Sequence, residues 1–377
     1  MRFQVLIALA MASAGAVRVA AAEPAPTVEI YCIDIGKGVG NATLIVSPAG
    51  ESMLLDAGPP GSEVRVLEVL SLAKIRKLDY LVNTHFCTDH YGATAALARG
   101  IPIRYFVDHG PSVEFQRDDD WWRKHRGPWF KPDTAKSHDD LYRTYLAAAA
   151  TGRRLVAEPG QAIPIAGLEA RVVCSAGKIL GEPLPGAGQP NPAGADVDQR
   201  VDDDAEDSQS IGMLVQFGKF RFVYLGDLTW NLEQKLFYPR NLVGRADAYV
   251  ITHHAQSLPP SMGDYYFGLS ACPKSELHAL EPRVAVLSLG AWGHRQGTSA
   301  AMDTVRQSPG LEDIWQTSLI RQGGEKDHNS PADFCANLGD NGGPARFIQL
   351  SARADGSFTV SNSRNGFHKD YPAHSER

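Results

Sequence analysis

The sequence predicts an α+β fold, a four-layer αββα sandwich in which two sheets pack face to face and helices cover the outer faces. Three observations lead there. Short runs rich in Val, Ile, Leu and Phe alternate with segments of helical period. This strands-then-helices order occurs twice along the chain. The apolar runs also end repeatedly at Asp or His: residues 52–55 at Asp56, 78–84 at His85, 220–225 at Gly226-Asp227, 246–252 at His253-His254, and 283–289 just before Gly293-His294. Folds built on sheets assemble their sites from such strand ends, where loops converge on a rigid scaffold.

Taken in order, residues 28–35 and 42–46 read as strands joined by the glycine-rich segment 36–40. No Gly-Lys-Ser/Thr step opens a helix there, so the glycines read as a hairpin connection and not a phosphate cradle. Residues 52–55 form a third strand, and 64–77 an amphipathic helix with Val66, Val69, Leu70 and Ala73 on one face. A strand over 78–84, a short helix over 93–98 and a strand over 103–107 follow. About residues 114–151 the spacing predicts a helical insertion containing Trp121-Trp122-Arg123-Lys124-His125-Arg126. Its tryptophans are expected to pack on the domain; the competing reading is a nucleic-acid lip using Trp122 and Arg123. Residues 181–207, poor in apolar side chains and carrying Asp202-Asp203-Asp204, read as a long surface-loop insertion with a solvated acidic run.

In the second half, 211–217 and 220–225 form a hairpin about Gly218-Lys219, and Gly226-Asp227 leads into a helix from Thr229. Strands over 246–252 and 283–289, a helix over 298–307, and a hairpin of 345–351 with 357–361 on Asp355-Gly356 complete the pattern.

Residues 1–22 read as a secretory signal: Arg2, an apolar run over 3–11, and Ala20-Ala21-Ala22 as the cleavage site. The expectation is one domain over 23–377, periplasmic or secreted, with no membrane span. A net charge of −6 argues against a protein whose whole surface grips nucleic acid. Of five cysteines, Cys87 sits among histidines, while Cys32, Cys174, Cys272 and Cys335 allow up to two disulfides. Alternatively, Cys32 and Cys174 are buried thiols. No heptad seam points to an assembly, so the oligomeric state stays open.

The chemistry concentrates in His85-Phe86-Cys87-Thr88-Asp89-His90, four metal-competent donors within six residues at a strand end. With the flanking Thr84, Tyr91 and Gly92, this run resembles the His-x-His-x-Asp-His motif of the metallo-β-lactamase superfamily. More narrowly, the chain resembles the hydrolase domain of the competence protein ComEC and its exported relatives. That likeness is carried by Ile33-Asp34-Ile35-Gly36-Lys37-Gly38, Leu54-Leu55-Asp56-Ala57-Gly58, Ser210-Ile211-Gly212-Met213-Leu214-Val215, Leu225-Gly226-Asp227-Leu228 and His253-His254-Ala255-Gln256-Ser257, over about residues 28 to 322.

The resemblance implies a metallo-β-lactamase-type sandwich with two metal pockets: His85 and Cys87 at the first, Asp89 and His90 at the second, Asp227 bridging, and His254 completing the second. Asp56 would orient a ligand histidine. The activity implied is hydrolysis by a metal-bound hydroxide, with Asp89 orienting it and His253 or His294 meeting the developing oxyanion. A phosphodiester is the leading substrate class; a carboxylic ester, lactone or β-lactam are alternatives. Two departures stand out. Cys87 replaces the second histidine, and none of His109, His125 and His138 stands in a context suited to the remaining ligand of the first pocket. Zinc is the expected ion, one or two per chain, with manganese possible if Cys87 is not a ligand. The competing classes are a non-catalytic binding protein on a degraded version of this fold, and a redox or metal-buffering protein using Cys87.

Overall fold

The computed structural model describes residues 25–36, 38–127, 131, 133–263, 267–290, 297–321, 328–339 and 342–374. The expected signal segment and His294 lie outside the described residues. β1 (Thr27–Ile33), β2 (Thr43–Val46), β3 (Ser52–Leu55), β4 (Leu78–Val82), β5 (Ile103–Asp108) and β6 (Arg153–Val156) begin the first sheet. The second comprises β7 (Ala162–Ile163), β8 (Glu169–Ser175), β9 (Lys178–Ile179), β10 (Gly212–Phe217), β11 (Phe220–Tyr224), β12 (Ala248–Val250), β13 (Val284–Leu287), β14 (Asp313–Ser318) and β15 (Cys335–Asn337). The chain then returns to the first sheet as β16 (Phe347–Arg353), β17 (Phe358–Asn362) and β18 (His368–Tyr371), giving the order β18-β17-β16-β1-β2-β3-β4-β5-β6. The second sheet runs β15-β14-β13-β12-β11-β10-β8-β7, with β9 on β8.

Pairing is parallel from β3 through β6 and from β11 through β15. β3, β4, β12 and β13 are buried along their whole length, which is why they read as continuous apolar runs rather than alternating ones. Met53, Leu55, Tyr80 and Val82 point inward to meet Phe222, Tyr224, Val250, Val284 and Val286 in one core between the sheets. Their neighbours Leu54 and Leu81 point outward, under Val66, Val69, Leu97, Tyr142 and Tyr145 of the covering helices. On the other side Val223, Tyr249, Ala285 and Leu287 lie beneath Leu236, Phe237, Leu277, Met302 and Val305. Helix, sheet, sheet and helix thus form the four layers expected. Among the described residues no helix is long and apolar enough to cross a membrane.

Several local expectations change. The stretch about 114–151 holds two helices, Asp119–Arg126 and Thr134–Ala149, and the second belongs to the layer over the first sheet. No disulfide forms: all five cysteines are free. Cys32 lies in the core between the sheets and Cys174 in the layer outside the second, so the sheet itself separates them. Burial pushes the thiols of Cys32, Cys174 and Cys335 up to about 12. Trp122 is 1% exposed and packs on the ring of His138, while Arg123 is tied to Asp119 and Asp120 of its own helix. A buried indole presents no face on which a base can stack. Trp122→Ala is therefore expected to cost about 3–5 kcal/mol of stability, as large-to-small core changes do, measured as a drop in the urea midpoint.

Candidate metal centre

The ends of the parallel strands of both sheets meet at one edge of the sandwich. After β4, Cys87 sits in extended conformation ahead of the short helix Thr88–Tyr91, so Asp89 and His90 project from a single turn. The glycine-rich loop lies directly against it: a Cβ on Gly40 would be 2.0 Å from the Asp89 carbonyl oxygen. That close backbone approach, not a phosphate, is what excludes a side chain at Gly40. After β11, Gly226 adopts φ +60°, and a Cβ there would press to 2.9 Å from Thr84 Oγ1, so Asp227 is presented by a turn that favours glycine. After β12, His253, His254 and Ala255 are successively left-handed (φ 48°, 52° and 57°). Such a run is strained for residues with a Cβ. It is held by bonds from His253 N to the Gly226 carbonyl, from Gly297 N to His254 and from Thr298 N to Ala255.

Asp89, His90, Asp227 and His254 converge within 4.8 Å of one another. His90 Nε2 lies 3.2 Å from Asp227 Oδ2 and 3.3 Å from His254 Nε2, and His254 Nε2 lies 3.7 Å from Asp89 Oδ2. The far nitrogens are committed elsewhere. His90 Nδ1 bonds Asp56 Oδ2 at 2.7 Å, and His254 Nδ1 bonds the Ser288 carbonyl at 3.0 Å. Since a carbonyl only accepts, His254 Nδ1 carries the proton and Nε2 is left to bind a cation. Asp56 also accepts from Tyr224 Oη (2.8 Å), Thr84 N (2.8 Å) and Thr84 Oγ1 (2.9 Å). Thr84 Oγ1 lies 3.0 Å from His85 Nδ1, so Asp56 fixes His90 directly and His85 through one hydroxyl.

Beside this second expected pocket lies the cluster of the first, which contains a residue the sequence reading missed. His85, Cys87 and Asp207 form one group, and Asp207, Asp227 and His253 another. Cys87 Sγ is 3.2 Å and His85 Nε2 3.5 Å from Asp207 Oδ1, and His253 Nε2 is 3.5 Å from Asp227 Oδ2. The position left without a histidine is thus filled by a carboxylate from the end of the acidic loop. In the acidic run Asp202 and Asp204 are exposed as expected, while Asp203 caps the turn at Ala205 and Ser208 and Asp204 bonds His125 at 2.6 Å. His109 contacts Glu206, and His138 lies 3.4 Å from Glu114. The signal that could have found Asp207 was its place, five residues before β10 of the hairpin leading to Asp227, in a chain short of one donor.

Electrostatically the site asks for cations. Burial opposes the positive form of His90, yet Asp227, Asp56 and Asp89 raise its pKa well above the ordinary value. Burial also works against charge on Asp227 and Asp89, but His90 outweighs it first, with His253 and His254 at Asp227 and His254 at Asp89. Both carboxyls are held below the usual range. His85 Nε2 and Asp227 Oδ1 are buried with no hydrogen-bond partner. Imidazole, thiolate and carboxylate atoms so arranged fit divalent metal. Of the six residues assigned to metal, the structure gathers His85, Cys87, Asp89, His90, Asp227 and His254 around this centre, and it brings His253 there too.

Behind the His253-His254 turn lies a buried acid pair, Glu233 and Glu276. Thr252 Oγ1 donates to Glu276 (3.2 Å), and Cys272 N to Glu233 (3.1 Å). Burial raises both carboxyls, Glu233 also through the charge of Glu276, and Glu276 reaches about 7. A carboxyl whose pKa rises on folding adds stability below its unfolded value near 4.5 and loses it as pH climbs through about 7. Glu276→Gln is expected to remove on the order of 3 kcal/mol of this decline. Urea midpoints between pH 4.5 and 8 test it; parallel profiles for variant and wild type would refute it.

Residues 35–189 match the family model described as the metallo-beta-lactamase superfamily. No curated protein matches the chain. Among solved structures, the metallo-beta-lactamase fold protein YhfI of Bacillus subtilis is similar at 11% identity and TM-score 0.42, over 77% of this chain and 96% of that one. Zn(2+)-bound PqqB of Methylobacterium extorquens follows at 14% and 0.41, over 76% and 97%. CmlA, a diiron β-hydroxylase of Streptomyces venezuelae, matches at 14% and 0.39, over 76% of this chain but 48% of its own. The chain has the metallo-β-lactamase fold, and its residues 35–189 carry the match to that superfamily.

Proposed function

We propose that this chain is an exported, metal-dependent hydrolase of the ComEC-like type, acting in the periplasm or beyond on a phosphodiester-type substrate. The observation that carries the reading is two donor clusters, Asp89-His90-Asp227-His254 and His85-Cys87-Asp207, linked by the group of Asp207, Asp227 and His253, with the nitrogens of His90 and His254 aimed inward because their other nitrogens are bonded outward. Cys87 in the first cluster favours zinc over manganese. Divalent ions bound there supply Lewis acidity and bring the pKa of a water down to ~7.

The protein's own groups do the rest. Asp89 keeps 29% of its side chain exposed while holding its charge, so it faces the substrate side and can orient a nucleophilic water and take its proton. His254 and His90 stay fixed by Ser288 and Asp56 and do not reorient during turnover. His253 stands at the corner between the clusters, where its Nε2 accepts from the Gln256 amide at 3.1 Å, and it is proposed from the sequence to meet a developing negative charge once protonated. His294 is proposed for the same task from the sequence. Small phosphodiesters are favoured over long nucleic acid by the net charge of −6 and by the burial of Trp122.

Asp89→Ala and His90→Ala are each expected to lower kcat on a chromogenic phosphodiester by about 100-fold or more, with far-UV circular dichroism unchanged. A zinc-loaded wild type without turnover on phosphodiesters, esters and lactones, yet with a retained binding partner, would favour the non-catalytic reading.

A further inference from the structure

Glu206 has no place in the chemistry above, yet it is a carboxylate held by four hydrogen-bond donors beside it. It is fully buried and accepts from Phe86 N (2.9 Å), Val113 N (2.7 Å), Ser112 Oγ (2.6 Å) and His109 Nε2 (2.9 Å). These donors come from the metal motif itself and from the loop after β5. Burial alone would neutralise the carboxyl, but the His109 charge and these hydrogen bonds hold it down at about 2. The adjoining residue is Asp207, and the backbone around it is closed into a tight turn by Gln209 N on Glu206 O and Ser210 N on Asp207 O.

Upstream the same segment is fastened to the other half of the molecule. The Arg200 guanidinium lies between the rings of Trp230 (3.4 Å) and Phe267 (4.0 Å), and Asn231 bonds both the N–H and the carbonyl of Arg200. Residues 198–209 thus form a strap from the helix Trp230–Phe237 to the loop after β5. Its two clusters of donors also differ in kind: one contains a sulfur, while the other, Asp89, His90, Asp227 and His254, has none.

We infer that Glu206 is a positioning residue that seats Asp207 beside Cys87 and His85, so that the first cluster is a thiophilic cation site completed only when the strap is docked. This rests on the proposed metal centre. In Glu206→Gln an NH2 group must face one of the backbone donors of Phe86 or Val113, which unseats the strap at Asp207 without touching any residue of the second cluster.

The test is cobalt(II) loading of stripped protein, read as ions bound per chain and as thiolate-to-cobalt charge-transfer absorption in the near ultraviolet. Wild type is expected to hold two ions and show the band, and Cys87→Ser to lose the band. Glu206→Gln should keep the second-cluster ion, lose the band, and bind the first ion about 10- to 100-fold more weakly, as changes to residues that orient metal ligands do. Retention of the second ion separates this from general unfolding. If Glu206→Gln does not fold, Asp207→Asn and Ser112→Ala take its place, with loss and partial weakening of the first ion as the supporting results. Two ions with wild-type affinity and an intact band in these strap variants would overturn the inference and leave the binuclear centre standing. A wild type that takes up no cobalt would overturn the centre itself.

Discussion

The whole centre hangs on one buried carboxylate, Asp56. It stands in left-handed conformation at the end of β3, with no exposure to solvent, and its two oxygens take bonds from His90, Thr84 and Tyr224. Tyr224 ends β11 of the opposite sheet, so the same group that orients the imidazoles also joins the two sheets at their functional edge. A carboxylate carrying this many bonds in a dry site is costly to disturb, because each freed donor is left without water to replace it. Ligand geometry and sheet packing are therefore one constraint here rather than two.

In the first cluster two expected donors give way to others of different charge. A thiol stands where the resemblance implies an imidazole, and a carboxylate supplied from a loop stands where another is expected. Thiol and carboxyl bind metal as anions where imidazole binds neutral, so in the proposed centre this pocket would carry more negative charge. Asp203, one turn away and half-buried, is pushed up to about 7, first by lost hydration and then by the charge of Asp207. The surrounding acids thus do not all ionise together, which limits repulsion within the strap.

Much of this was legible in the sequence, for physical reasons. Continuous apolar runs, helical stripes such as Val66, Val69 and Leu70, and the turn at Asp355-Gly356 are local signals, and the four layers follow from them. The motif at residues 85–90 is legible because its donors are neighbours in sequence. Asp207 and Glu206 were hidden because their role depends on contacts far along the chain, with Phe86 and Cys87, and their composition reads as a solvated loop. β14 and β15 escaped notice because polar residues such as Gln316, Ser318 and Asn337 are buried in them by hydrogen bonds that no periodicity reveals. Of the two readings left open for the cysteines, Cys32 and Cys174 follow the buried-thiol one, a choice that spacing could not make because proximity across a sheet is not read from sequence.

The return of the chain to the first sheet has a bearing on how the protein is made. β1 lies between β2 and β16, with Thr27 opposite Arg353 and Ile33 opposite Phe347, so an interior strand waits for a partner more than three hundred residues downstream. During synthesis β1 can pair on one side only, and its other edge stays open until residues 347–353 have emerged. Pairings of such long range are slow to form, and an open edge of this kind invites association with other chains. Final closure of the first sheet is thus a late event, and the interval before it is the period in which this protein most needs to be shielded from copies of itself.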